Sequence, residues 1–204
     1  MATLTKPPDV DDLQRRIKNT LYENADNIRI FYAACVDFFK ATAAEKGFDC
    51  NPPRRRPQIG FRIVRTEGGV TSGVAVRPSW NRWRKSLDTS VVEIEVLSET
   101  AVKVPEGKGV QLRRELEVCC KPPHGFCELR RWSHRGGCDA AQRLVQTIAA
   151  YLSDPKSTLA NPSENCNLCG RALTDDVSRL RGFGPECVRA IGMLVFLTET
   201  ILRK

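Results

Sequence analysis

Cys166-Asn-Leu-Cys169-Gly-Arg-Ala-Leu-Thr-Asp-Asp-Val-Ser-Arg-Leu-Arg-Gly182-Phe-Gly-Pro-Glu-Cys187 is the stretch on which the reading of this chain turns. A Cys-x2-Cys-Gly unit makes a tight knuckle: the thiolates of Cys166 and Cys169 point at one spot, and Gly170 lets the backbone turn away beneath a metal. Cys187 follows Gly-Phe-Gly-Pro at the start of an apolar-periodic run, Val188, Ile191, Leu194, Val195 and Leu202, which places it in the first turn of a closing helix. Three sulfurs gathered by a knuckle and a helix N-terminus predict a treble-clef-like module with Zn2+ as its cofactor.

The same residues resemble a small zinc-ribbon-like domain of unassigned function, common in bacterial and phage proteins. Its core is Cys-x2-Cys-Gly-Arg-x-Leu-Thr-Asp-x2-Ser followed by Gly-x-Gly-Pro-x-Cys, matched here from Cys166 to Cys187. The resemblance covers residues 164–190 and leaves the first 160 residues unidentified, so it implies a module and not an activity. It also implies an accessory role in a phage or mobile element. One position departs from the treble-clef pattern: the fourth ligand usually stands three residues after the third, where this chain has Ala190. That ligand then comes from elsewhere, with His124 and His134 the chemically favoured donors, or is water.

A second reading competes for the segment. Leu180-x-Gly182-Phe-Gly184-x3-Val188-x2-Ile191 fits a helix-hairpin-helix, in which backbone N–H groups of the Gly-x-Gly turn hold a nucleic-acid phosphate at a helix N-terminus. Thr174 would then cap a short helix and Cys187 would be merely buried. Nothing in that pattern asks for a Cys-x2-Cys-Gly upstream, so zinc is the reading adopted, and the two are compatible.

Outward from this module, 204 residues with 41% hydrophobic content can hold one medium domain and a small appendage. The first twelve residues carry no apolar signal segment and no apolar run is long enough to span a bilayer, so a cytoplasmic protein without membrane attachment is expected. Nine cysteines without an export signal read as reduced thiols and metal ligands, not as a disulfide framework. The net charge of +8 lies entirely in the centre: residues 51–135 hold 17 Lys and Arg against 9 Asp and Glu, and the remainder holds 15 of each. A basic surface confined to one region favours a polyanionic partner over an ordinary solvated face.

The pattern predicts an α+β fold in four parts. Residues 1–50 form an N-terminal helical region, with Leu13, Ile17 and Leu21 and then Ile28, Phe31, Cys35, Phe38 and Phe39 at helical spacing, a break near Asn24 and a stop at Gly47. Residues 51–153 form a basic antiparallel sheet with strands at Ile59–Arg65, Val70–Arg77, Ser90–Ser98, Ala101–Val104, Val110–Cys119 and Phe126–Trp132, covered by a helix over Ala140–Leu152. Val92, Ile94 and Val96 face the core, with Glu93 and Glu95 outward. Residues 154–163, rich in Pro and Ser, read as a linker to the zinc module at 164–204.

Two further constellations invite chemistry. Arg77, Trp80, Arg82, Trp83, Arg84 and Lys85 interleave indoles with cations, the combination by which single-strand binding surfaces stack bases and neutralise phosphates; either indole could equally anchor the loop in the core. Arg54, Arg55 and Arg56 precede this sheet and fit phosphate contact. Cys119, Cys120, His124, Cys127, His134 and Cys138 form a second cluster whose spacings fit no zinc template, so strand-end cysteines are the simpler account. Catalytic signals are poor: no phosphate-binding loop, no dinucleotide fingerprint, no zinc-deaminase motif, and only a faint nuclease-like set in Asp88, Glu106 and Lys108.

The sequence therefore points to a binding protein and not an enzyme, with DNA, RNA or a nucleoprotein complex as partner, and no membrane or small-molecule substrate. The competing reading is a subunit or inhibitor that docks on a nucleic-acid enzyme; a metal-dependent nuclease ranks third.

Overall fold

The first α-helix begins where Asp9 accepts a hydrogen bond from the Asp11 backbone N–H, and its buried stripe is Leu13, Ile17 and Leu21. In the computed structural model, which describes residues 9–48, 57, 59–67, 70–104, 107–123, 126–160 and 162–203, this helix is α1 (Val10–Glu23). Asn24 interrupts it before α2 (Ala25–Glu45), as the sequence predicts, and Gly47 ends the pair in the left-handed region at φ 67°. No described helix is long and apolar enough to cross a membrane.

Five strands follow: β1 (Phe61–Glu67), β2 (Val70–Asn81), β3 (Ser86–Val104), β4 (Gly107–Lys121) and β5 (Phe126–Trp132). They form one antiparallel meander in chain order. The two strands expected at Ser90–Ser98 and Ala101–Val104 are a single β3. Its outer half continues past the last β2 pair, Ser72 opposite Ser98, because Glu99–Val104 still pairs with β4. Four helices close the chain: α3 (Gly137–Ser153), α4 (Pro155–Leu159), α5 (Asp176–Arg181) and α6 (Pro185–Leu202).

Alternation along the strands decides which side carries helices. The register aligns Phe61, Val76, Ile94, Val118 and Leu129 in one row and Ile63, Val74, Val96, Leu116 and Trp132 in the next, all on one face. On that face α2 and α3 pack, placing Phe31, Phe38, Leu144, Ile148 and Tyr151 over the rows. Phe31 meets Phe61 and Tyr151 edge-on at centroid distances of 6.4 and 5.3 Å, the arrangement ring quadrupoles favour. The helix predicted over Ala140–Leu152 is therefore found on the sheet, three residues longer at its start.

The expected linker is not one. Asp154 caps α4 by accepting from the Ser157 N–H, Pro155 opens it, and Leu159 is buried in the same core. α6 in turn lies along α2, burying Ile191, Leu194 and Val195, so one continuous core joins the helical N-terminus, the sheet and the C-terminal segment. Val188 and Leu202, counted in the apolar run, are exposed instead.

The polar position in that run is Thr198, fully buried, whose hydroxyl lies 2.6 Å from the Tyr151 hydroxyl. Burial pushes the Tyr151 phenol up, the Thr198 hydrogen bond opposing only part of that effect, so it stays neutral. Thr198→Val should cost about 1–3 kcal/mol by leaving the phenol without its partner, while Tyr151→Phe with Thr198→Val should recover most of the loss. Urea unfolding of both variants checks this; equal costs would show that the hydrogen bond does not hold α6 to α3.

Candidate functional site

The knuckle is built by short-range backbone hydrogen bonds. Asn165 bridges to Ala172, the Cys166 N–H donates to the Arg171 carbonyl at 2.8 Å, and the Gly170 N–H donates to the Cys166 carbonyl at 2.8 Å. Gly170 sits at φ 74°, a left-handed turn that a side chain would strain, which is why glycine follows the second cysteine. Asp175, not Thr174, caps α5 by accepting from the Ser178 N–H, and Gly182 closes that helix at φ 72°. The reversal presents Cys187 in the first turn of α6, over buried Leu173 and Phe183.

These turns bring the Sγ atoms of Cys166, Cys169 and Cys187 within 4.8 Å of one another. Tetrahedral thiolates at about 2.3 Å from an ion lie roughly 3.8 Å apart, so three close sulfurs can hold a metal ion with little adjustment. Burial raises the Cys166 thiol, but N–H donors from Cys169, Gly184 and Leu168 outweigh it and bring the group below its ordinary value. Cys187 goes the other way, pushed up to about 12 by burial and then by hydrogen bonding to the sulfurs of Cys166 and Cys169. One sulfur ringed by backbone N–H groups, with two more sulfurs within 4.8 Å, is a donor set that a soft cation would complete.

Of the two proposed fourth donors, only His134 is described, and it stands apart from the group. His124 lies outside the described residues. His134 is exposed in the turn after β5, whereas the knuckle is fastened to β1, where the Arg62 N–H donates to the Asn167 carbonyl at 2.8 Å. Four strand spacings separate these sides of the sheet, about 19 Å. Among the described residues the group comprises three cysteines.

The phosphate-binding alternative finds most donors of its turn already engaged. The Gly184 N–H serves the Cys166 sulfur, and those of Gly182, Phe183 and Cys187 go to the carbonyls of Arg179, Ser178 and Gly184. Those four N–H groups are engaged, and Leu180, which a helix-hairpin-helix would bury, is exposed.

Residues 160–192 match a family of unknown function, DUF6011. The match spans the knuckle, α5 and the first turns of α6, and thus the whole three-cysteine group. No curated protein and no solved structure matches the chain.

The second cysteine cluster disperses. Cys120 and Cys127 stand opposite each other on β4 and β5 with Cα atoms 4.2 Å apart and form a disulfide, against the expectation of reduced thiols throughout. Cys119 is buried, and Cys138 lies half-buried with its sulfur 4.0 Å from the Leu13 carbonyl.

Of the residues read as phosphate contacts, Arg77 has another task. It pairs with Glu95 and lies 3.6 Å from Glu93, and Arg114 joins Glu95 to Glu117 at 2.7 and 3.0 Å. Arg130 and Arg131 approach Glu93 and Glu117. Among the described residues the centre of the second face is thus a lattice of alternating charges, and Glu95 is only 5% exposed beneath its arginines. Sequence reading missed these glutamates as partners, although the Glu93-Ile-Glu95 alternation already placed them on that face.

Three exposed cations cluster at the β2–β3 turn. Arg82, Arg84 and Lys85 are exposed and make no ion pair among the described residues. Asn81 shapes the turn by accepting from the backbone N–H groups of Trp83 and Arg84 at 3.0 and 2.9 Å. Trp83 stands at the tip, 93% exposed, while Trp80 is half-buried on β2 opposite Leu87. The two indoles, equivalent in the sequence, have separated. Arg54, Arg55 and Arg56 lie outside the described residues.

Proposed function

We propose that the protein is a nucleic-acid-binding accessory protein whose contact is the β2–β3 tip and whose three-cysteine group holds a structural zinc ion. The observation that carries the first part is the exposure of Trp83 between three unpaired cations. An indole held in solvent by an ordered turn contributes nothing to the core, yet it offers a π-face to an unpaired base while Arg82, Arg84 and Lys85 meet the flanking phosphates. Zinc follows from the donor chemistry: thiolate-rich, tetrahedral sites select soft ions, and a set without His or carboxylate suits a structural ion better than a hydrolytic one.

Titration of fluorescein-labelled single strands tests the reading. Three phosphate contacts should give a log-log salt slope of about −2 on single-stranded DNA or RNA, and duplex should bind more weakly because its bases are stacked away from the indole. The same tip suits a protein interface, where Trp and Arg are the residues most enriched at energetic hot spots. An absence of affinity for any naked strand at low salt would move the assignment to that second reading, a subunit or inhibitor of a nucleic-acid enzyme.

A further inference from the structure

The metal group, the hairpin and the core leave one face of α6 without a role. At about 100° per residue, exposed Arg189, Gly192 and Phe196 and half-buried Glu199 fall within a single stripe, with Val188 at its margin. Phe196 is 66% exposed and Val188 42%. Gly192 stands in mid-helix, and a Cβ built there would have nothing within 4 Å. Glycine is unfavourable in a helix interior relative to alanine, and among the described residues nothing asks for it.

We propose that this face pairs antiparallel with the same face of a second copy of the chain, across a twofold axis at the level of Leu194. The steps along the helix then match: Phe196 of one copy falls against Gly192 of the other, and Arg189 falls at the level of Glu199, each contact made twice. The bare backbone at Gly192 receives the ring, and opposite charges close both ends, which is the self-complementarity an isologous interface requires. Parallel pairing would set ring on ring and arginine on arginine. Within one chain Arg189 and Glu199 are ten residues apart, about 15 Å along the axis, so they do not pair with each other. The exposed 3.8 Å contact of Arg189 with Glu45 competes weakly.

Sedimentation velocity on the full chain from about 1 to 200 μM tests this, a range suited to an interface of modest size. The mass should rise with concentration from 22.8 kDa towards twice that value. Arg189→Glu and Glu199→Arg should each weaken association about tenfold, and the two together should restore it to within about threefold, because only facing charges are repaired by exchange. Gly192→Leu should weaken it about tenfold or more by filling the gap, with circular dichroism and melting temperature retained since leucine favours helix. A monomer throughout the range, a dimer indifferent to Gly192→Leu, or single reversals that the double variant does not repair would each overturn the pairing.

Discussion

Cys169→Ser is expected to lower bound zinc from about one ion per chain to near none and to open the segment from Pro162 to Gly184 while α6 stays in place. The size of the effect follows from linkage: structural zinc contributes about 10–16 kcal/mol in finger peptides at pH 7, and a domain's whole stability is only about 5–15 kcal/mol. The place of the effect follows from the packing. Between Pro162 and Gly184 the buried apolar side chains besides Cys166 are Leu173 and Phe183, too few to hold a knuckle and a six-residue helix without the ion. α6 keeps Leu194, Val195 and Thr198 against α2 and α3. Metal analysis gives the stoichiometry, and hydrogen exchange locates the opening. Unchanged metal content in the Cys169→Ser protein would remove the centre from the account.

The second large effect is expected at the hairpin tip. Trp83→Ala should weaken single-strand binding by about 1–3 kcal/mol, five- to 150-fold in Kd, and leave the salt slope unaltered because stacking releases no counterions. Arg82→Ala with Arg84→Ala should flatten that slope by about 1.4. Arg77→Ala should leave the slope unchanged and instead lower the melting temperature, since its guanidinium neutralises Glu93 and Glu95. A slope that responds to Arg77 and not to Arg82 or Arg84 would move the contact to the face of the sheet.

Local signals carried much of this architecture. Helical periodicity and the Asn24 break gave α1 and α2, and strand alternation put Val92, Ile94 and Val96 inward because each needs only its own neighbours to be read. The three sulfurs were legible for the same reason, since a knuckle and a helix start are both local. What escaped depends on partners distant in sequence. Leu159 reads as part of a Pro- and Ser-rich linker until the core beneath it is known, and Thr198 reads as a polar interruption until Tyr151 meets it. Cys120 and Cys127 pair through a register that alternation cannot set, and counting charges along the chain could not see that the sheet neutralises most of its own arginines.

The hydrogen bond from Arg62 to Asn167 carries a consequence for the fate of the protein in solution. β1 is a terminal strand, and such a strand offers unsatisfied backbone groups on which foreign chains can template and precipitate. Here the knuckle's Asn167 carbonyl takes the Arg62 N–H, and an ion on the three sulfurs would hold the knuckle in that place. With zinc on those sulfurs, as proposed, metal supply would bear on colloidal behaviour as well as on local order: without the ion the sheet would stay folded while its flank stood open to other strands.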